Sequence, residues 1–210
     1  TALYEWEYTW LVTKITIKVE SRIFMDMKPI HLRNVPPPSE TFDHKAFFDF
    51  FCSWLKPERY LELGVRDGIN FRTVAKHSKK AIGVDKYPCP FGLEDNMEYH
   101  HMYTDQYFEN LSDDVKFDCV FIDADHSHEQ SLKDFMNVKD RVIEDGFIFF
   151  HDTYPYDEWM TVPRHCNDVY RTALYIKENL IDEFEIVTLP FNPGVTIVKK
   201  INRNKQLIWK

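Results

Sequence analysis

Two rhythms of apolar residues run along this chain, and from about residue 40 they take turns. One is the short apolar run: residues 60–63, 81–85, 117–123 and 146–150 are mostly apolar until each ends in a polar or glycine-rich step. A parallel strand covered on both faces needs that pattern. The other is the stripe at helical spacing. Phe47, Phe48, Phe51, Trp54 and Leu55 form one, with Ser39 or Thr41 placed to cap it and Pro57 to end it. Residues 69–77 form the second. Leu132, Phe135, Met136, Val142 and Ile143 form a third, and Val169, Ala173, Ile176 and Leu180 a fourth. A weaker strand signal covers 98–102, before Thr104 and Asp105, where Asp105 could cap a helix over 106–111. Residues 184–189 and 194–199 read as two strands around the Pro190 to Gly194 turn. Strands alternating with helices predict an α/β fold: a Rossmann-like, doubly wound, mostly parallel sheet of seven strands with an antiparallel C-terminal hairpin.

The rhythm also sets boundaries. Residues 1–38 read as an N-terminal extension and linker, stiffened at its end by Pro36, Pro37 and Pro38. Within it Ile15, Ile17 and Val19 alternate with polar residues, a half-buried strand pattern that could serve as an added strand or a contact in a homo-oligomer. Residues 39–200 form the domain, and 201–210 a tail. Residues 154–166 interrupt the alternation with Tyr154, Tyr156, Trp159 and Met160, a composition suited to a substrate loop.

Composition narrows the function classes. A net charge of −8, with no Lys/Arg cluster, argues against a general nucleic-acid binder. No stretch approaches the roughly 20 apolar residues of a membrane span, and the first residues lack the form of a signal peptide. Four cysteines occur without a Cys-x-x-Cys pair, which disfavours zinc and suits a reducing, cytoplasmic setting. Cys52 and Cys119 lie in apolar runs and read as core; His165 and Cys166 read as exposed.

The candidate chemistry lies where the short runs stop. The first run carries Glu62 and turns at Gly64-Val-Arg-Asp-Gly68. Gly64 can adopt a backbone conformation closed to other residues and leaves room for a ligand at the strand's end; Gly68 lets the following helix pack close. Arg66 and Ile69 stand where a dinucleotide fingerprint needs its second and third glycines. Glu62, a carboxylate in a buried strand, needs a donor partner. Asp85 ends the second run about 20 residues after the glycine turn, where an acidic residue meets ribose hydroxyls. Asp123, Asp125 and His126 end the fourth run, and His151 and Asp152 the fifth. Two carboxylates and a histidine converging from these two strand ends would make a hard-cation site for Mg2+ or Mn2+, with His126 able to act as general base. The structural alternative is that Asp125 and His126 merely cap the next helix and His151 is a core histidine.

The Glu-x-Gly-x-x-x-Gly spacing resembles motif I of the class I S-adenosylmethionine-dependent methyltransferases. Phe-Ile-Asp-Ala-Asp-His-Ser-His-Glu, followed by Gly-Phe-Ile-Phe-Phe-His-Asp-Thr, resembles their metal-dependent small-molecule O-methyltransferases. The nearest branch holds macrolide-sugar methyltransferases and cephalosporin-hydroxylase-like proteins. Over about residues 40–200 the resemblance implies S-adenosylmethionine as cofactor, held by Glu62, Gly64, Val65, Gly68, Asp85, Asp105 (beside the adenine) and Asp123. It implies Asp123 and His126 as catalytic residues, a metal on Asp123, His151 and Asp152, and a small polar acceptor such as a sugar. His151 stands where the branch can carry Glu, and Thr153 where the catechol and caffeoyl-CoA type has Asn. The rival readings are a protein that binds this cofactor without transferring a methyl group, and an NAD-dependent enzyme.

Overall fold

The computed structural model describes residues 43–190 and 193–202. The extension over 1–38, its strand pattern, the caps at Ser39 and Thr41 and most of the tail lie outside the described residues.

Helix α1 (His44–Leu55) starts at Asp43, whose carboxylate accepts the N–H groups of Lys45 and Ala46 at 2.9 and 3.0 Å. It is followed by β1 (Arg59–Leu63), α2 (Ile69–Ala75), β2 (Lys80–Asp85), β3 (Met97–His101) and α3 (Thr104–Asn110). Then come β4 (Phe117–Ile122), α4 (His128–Lys139) and β5 (Val142–His151), a short 3-10 turn (Glu158–Thr161), α5 (Tyr170–Asn179), β6 (Phe184–Leu189) and β7 (Val195–Lys200). The seven strands form one sheet in the order β3-β2-β1-β4-β5-β7-β6, parallel except where β7 runs antiparallel to both β5 and β6. The winding direction reverses between β1 and β4, which are hydrogen-bonded neighbours, and that reversal opens a crevice beyond their carboxyl ends.

Side chains alternate across the sheet into two cores. Leu61, Leu63, Val120, Ile122, Ile148 and Phe150 face α3, α4 and α5. Tyr60, Cys119, Phe121 and Phe149 face α1 and α2, where Phe48, Cys52 and Phe71 cover them. Cys52 and Cys119 are plain buried core, as their apolar surroundings predict.

Three details depart from the sequence pattern. Trp54, expected on the buried face of α1, is 71% exposed, and Cys52 takes the inward position instead. Val142 and Ile143 do not extend α4; they begin β5, because the Phe117 N–H takes the Arg141 carbonyl at 2.9 Å and pulls the chain into the sheet. Helical periodicity ran through the junction because Phe135 and Val142 are two turns apart. The strand then absorbs a bulge, with Asp145 in the left-handed region (φ 64°), before the register resumes at Phe147. The third departure is at Cys166, which is buried, not exposed.

Candidate active site

The glycine turn is built from backbone. Gly64 donates to the Val84 carbonyl and Asp123 donates to the Leu63 carbonyl, both at 2.8 Å, so the ends of β2, β1 and β4 are tied across the crevice. Gly64 has φ +87°, and a Cβ there would lie 2.2 Å from the Asp123 carbonyl oxygen. The space that the glycine opens is therefore filled by the chain end of β4, not by ligand. Gly68 (φ +74°) is tight against the Phe91 ring of the loop before β3, not against the strand.

Asp85 is 8% exposed and organises this turn. Its Oδ2 accepts the N–H groups of Val65 and Arg66, both at 2.8 Å, and its Oδ1 accepts that of Tyr87 at 2.8 Å. A carboxylate offers about four acceptor sites, so one remains for a ligand hydroxyl. Glu62 has the partners that its burial requires: the Tyr60 hydroxyl and the Asn70 amide donate to its Oε2, the latter at 2.9 Å. Burial pushes its carboxyl up to about 8, against the pull of those two hydrogen bonds. Asn70 was not foreseen; its signal was its place in the first turn after the glycines, facing the strand.

This shift has a consequence for stability. Between pH 4.5 and about 8, folded Glu62 keeps a proton that the unfolded chain releases. Its contribution is full below pH 4.5 and is lost as pH rises through about 8. In Glu62→Gln, urea midpoints should flatten across this window relative to wild type. Parallel pH dependences in the two proteins would show that Glu62 ionises like a surface carboxylate.

Asp105 lies in the first turn of α3, whose cap is Tyr103, so the alternative capping role for Asp105 does not hold. Its carboxylate accepts from Lys133 at 2.6 Å and Gln130 at 3.2 Å, and all three strap α3 to α4.

The ends of β4 and β5 meet as expected. His126 Nε2 lies 3.3 Å from Asp123 Oδ1, and its Nδ1 lies 2.8 Å from Asp152 Oδ2 and donates to the His165 carbonyl at 2.5 Å. His151 Nδ1 sits 3.3 Å from Asp123 Oδ1 and 3.2 Å from Asp152 Oδ1. Burial alone would lower the His126 pKa, but hydrogen bonds to Asp123 and Asp152 override it and hold it at about 11. Burial would raise Asp123, yet the charges and hydrogen bonds of His151 and His126 keep it below the usual carboxylate range. As placed here, His126 carries a proton rather than an open lone pair. Beyond His151, at 4.3 Å between ring centroids, stands His44 of α1, held neutral at a pKa of about 4 by burial and by the His151 charge.

One cavity of about 710 Å³ joins the two ends. Glu62, Gly64, Val65, Asp85 and Asp105 line one part; Asp123, His126, His151 and Asp152 line the other. Gly68 does not line it. The 154–166 insert contributes Met160, Arg164, His165 and Cys166, and α1 contributes His44 and Lys45. The 154–166 insert meets its expectation as a loop over the cavity, but residue order singles out neither Arg164 within it nor His44 and Lys45 at the start of α1, since nothing local marks which side chains turn inward.

A family model described as a methyltransferase domain matches residues 50–153. The chain thus carries, over just under half of its length, a segment similar to a methyltransferase domain. Solved structures carry the same fold at low identity. Cofactor-bound Rv0187 from MTB matches with a TM-score of 0.64 and 15% identity over 80% of this chain and 85% of that one. The S-adenosylhomocysteine-bound methyltransferase PaMTH1 of Podospora anserina gives 0.60 and 14%, covering 90% and 96%. The O-methyltransferase TomG of Streptomyces achromogenes, solved with S-adenosylmethionine, gives 0.59 and 13%, covering 76% and 80%. No curated protein matches the sequence. Among the described residues, no helix is long and apolar enough to cross a membrane.

Proposed function

We propose that the domain of residues 39–200 transfers the methyl group of S-adenosylmethionine to a hydroxyl oxygen of a small polar acceptor such as a sugar. The carrying observation is the single cavity that runs from the glycine turn to the Asp123–His126–Asp152 cluster. The turn, with Glu62, Gly64 and Val65, takes the methionine end of the cofactor, and Gly68 shapes that turn. Asp85 offers its remaining acceptor site to the ribose, and the Asp105 side of the wall faces the adenine. Arg66, on the same turn with no side-chain hydrogen bond or ion pair among the described residues, suits the cofactor's carboxylate. In the reaction the C–S bond breaks and a C–O bond forms, and S-adenosylhomocysteine leaves with the electron pair. The hydroxyl proton passes to His126 once that ring has given up the proton that Asp123 and Asp152 hold on it. Holding the acceptor oxygen in line with the sulfonium supplies much of the rate.

The cluster also fits a divalent ion. Asp123, His126 and Asp152 each offer a donor atom, all within 4.8 Å of one another, and Asp123 Oδ1 is contacted only by the two histidine rings, each at 3.3 Å. His126 replaces the expected His151 in this set. A bound Mg2+ or Mn2+ would lower the pKa of the acceptor hydroxyl. His126 would ligate only as the neutral ring, so such an ion competes with its extra proton.

S-adenosylhomocysteine, but not NAD, should raise the melting temperature of the protein, by the amount its affinity dictates. Stabilisation by NAD alone would replace the cofactor assignment, and stabilisation by neither would remove it. Methylation that survives exhaustive EDTA would reject the metal.

A further inference from the structure

The charges around the cavity are unequally served. Its carboxylates all have partners within the chain. Those of Asp85, Asp105, Asp123 and Asp152 are described above, and Asp67 and Asp125 accept the N–H groups of Ile69 and Ser127 at 3.0 and 2.9 Å. The cations are the reverse. Lys45, Arg66, Lys86 and Arg164 line the same cavity, and among the described residues none makes a side-chain hydrogen bond or ion pair; Lys86 alone has another contact, over the Tyr87 ring at 5.5 Å. Elsewhere on this acidic protein, cations such as Lys79, Lys80, Lys133, Arg141 and Lys199 are paired with carboxylates.

Two of these four cations, Lys45 and Arg164, belong to the acceptor end. Lys45 follows His44, whose ring rests on His151. Arg164 precedes His165, whose carbonyl is fixed by His126. His126 and His151 share Asp123 Oδ1, so both cations are anchored one residue from the same cluster. Arg164 is held there with its backbone in the left-handed region (φ 81°), a conformation that disfavours a non-glycine residue. Cys166, two residues on, is buried and pins the other side of the loop. The Nε2 of His151, on this same wall, is buried and has no partner.

We propose that Lys45 and Arg164 form an anion subsite, and that the acceptor carries a carboxylate or phosphate group besides the hydroxyl that is methylated. The inference rests on the methyl-transfer reading, which assigns this end of the cavity to the acceptor. An uncharged sugar would leave both cations without a counter-charge. A sugar acid, a hydroxy acid or a phosphorylated sugar would supply one.

The test uses protein saturated with S-adenosylhomocysteine, so that the cofactor's own carboxylate site is filled, in an uncharged buffer at low salt. Inorganic phosphate and acetate are titrated separately by calorimetry, which distinguishes the phosphate from the carboxylate source. At least one should bind at a single saturable site. Arg164→Gln and Lys45→Gln should each weaken that binding about tenfold, the scale of one lost charged hydrogen bond. Arg164→Lys should recover part of it, and S-adenosylhomocysteine affinity should stay within about twofold in all variants. Saturable binding of neither anion, or equal binding in wild type and both glutamine variants, overturns the subsite. If S-adenosylhomocysteine itself fails to bind, the methyl-transfer reading falls and takes this inference with it; intact cofactor binding without anion binding removes the inference alone.

Discussion

Gly64→Ala should cost the domain on the order of 3 kcal/mol or more and abolish S-adenosylhomocysteine binding. Two penalties combine. Forcing an alanine into φ +87° costs about 1–2 kcal/mol, and its Cβ would lie 2.2 Å from the Asp123 carbonyl oxygen and 2.5 Å from the Ala124 Cα. Those atoms are backbone and cannot swing aside. Relief requires β1 and β4 to separate, which breaks the Asp123 N–H to Leu63 carbonyl bond of 2.8 Å. Overpacking of this kind costs about 1–3 kcal/mol, against a total stability of roughly 5–15 kcal/mol for an ordinary domain. Gly68→Ala should cost less, because its obstacle is the Phe91 ring, which can rotate. Gly92→Ala, whose Cβ would meet nothing within 4 Å, serves as the control and should stay within about 0.5 kcal/mol of wild type. Urea denaturation of the three variants gives the ranking, and a Gly64→Ala protein as stable as the control would refute the packing argument.

The second large effect concerns His126. In metal-free protein its ring should stay protonated well above neutrality, since its pKa is held at about 11 by Asp123 and Asp152. Asp123→Asn removes one of those two carboxylates. The imidazole titration, followed by nitrogen chemical shifts, should then move down by about 1–3 pH units, the scale of one adjacent charge. The sign carries over to catalysis. A base must be unprotonated to act, so wild-type turnover of an acceptor should rise with pH from neutral towards about 11. In Asp123→Asn that rising limb should shift to lower pH while maximal turnover falls. A wild-type rate that is flat over this range, or that is unchanged in His126→Asn, would remove His126 from proton transfer. An imidazole signal that titrates near 6.5 in wild type would instead show that the cluster opens in solution.

Much of this site could be read from residue order alone, because β-α alternation puts every strand end on one edge. Glu62 interrupts a short apolar run and Asp85, Asp123 and Asp152 each follow one, and the fold brings all four to the cavity. What the sequence could not convey was how each group is used. Asp85 looked like a ribose ligand only; it also grips the glycine turn through two backbone N–H groups. His126 reads from its position as a general base or a helix cap, and it lies between two carboxylates. These are facts of distance between segments, which periodicity does not encode. The start of β5 was misread for a local reason: a stripe at helical spacing cannot show where the backbone stops being helical when the next strand opens with Val142 and Ile143.

The division of labour around the cavity also bears on how such a protein could be redesigned. The segment that matches the methyltransferase domain, residues 50–153, holds the glycine turn and every strand end of the cofactor half. His44 and Lys45 precede it, and Met160, Arg164 and His165 follow it. On the proposed methyl-transfer reading, acceptor preference would be carried by two peripheral segments that can be exchanged without cutting the sheet. A chimera that imports both from a homologous chain would keep the cofactor half unaltered while presenting a new wall to the acceptor.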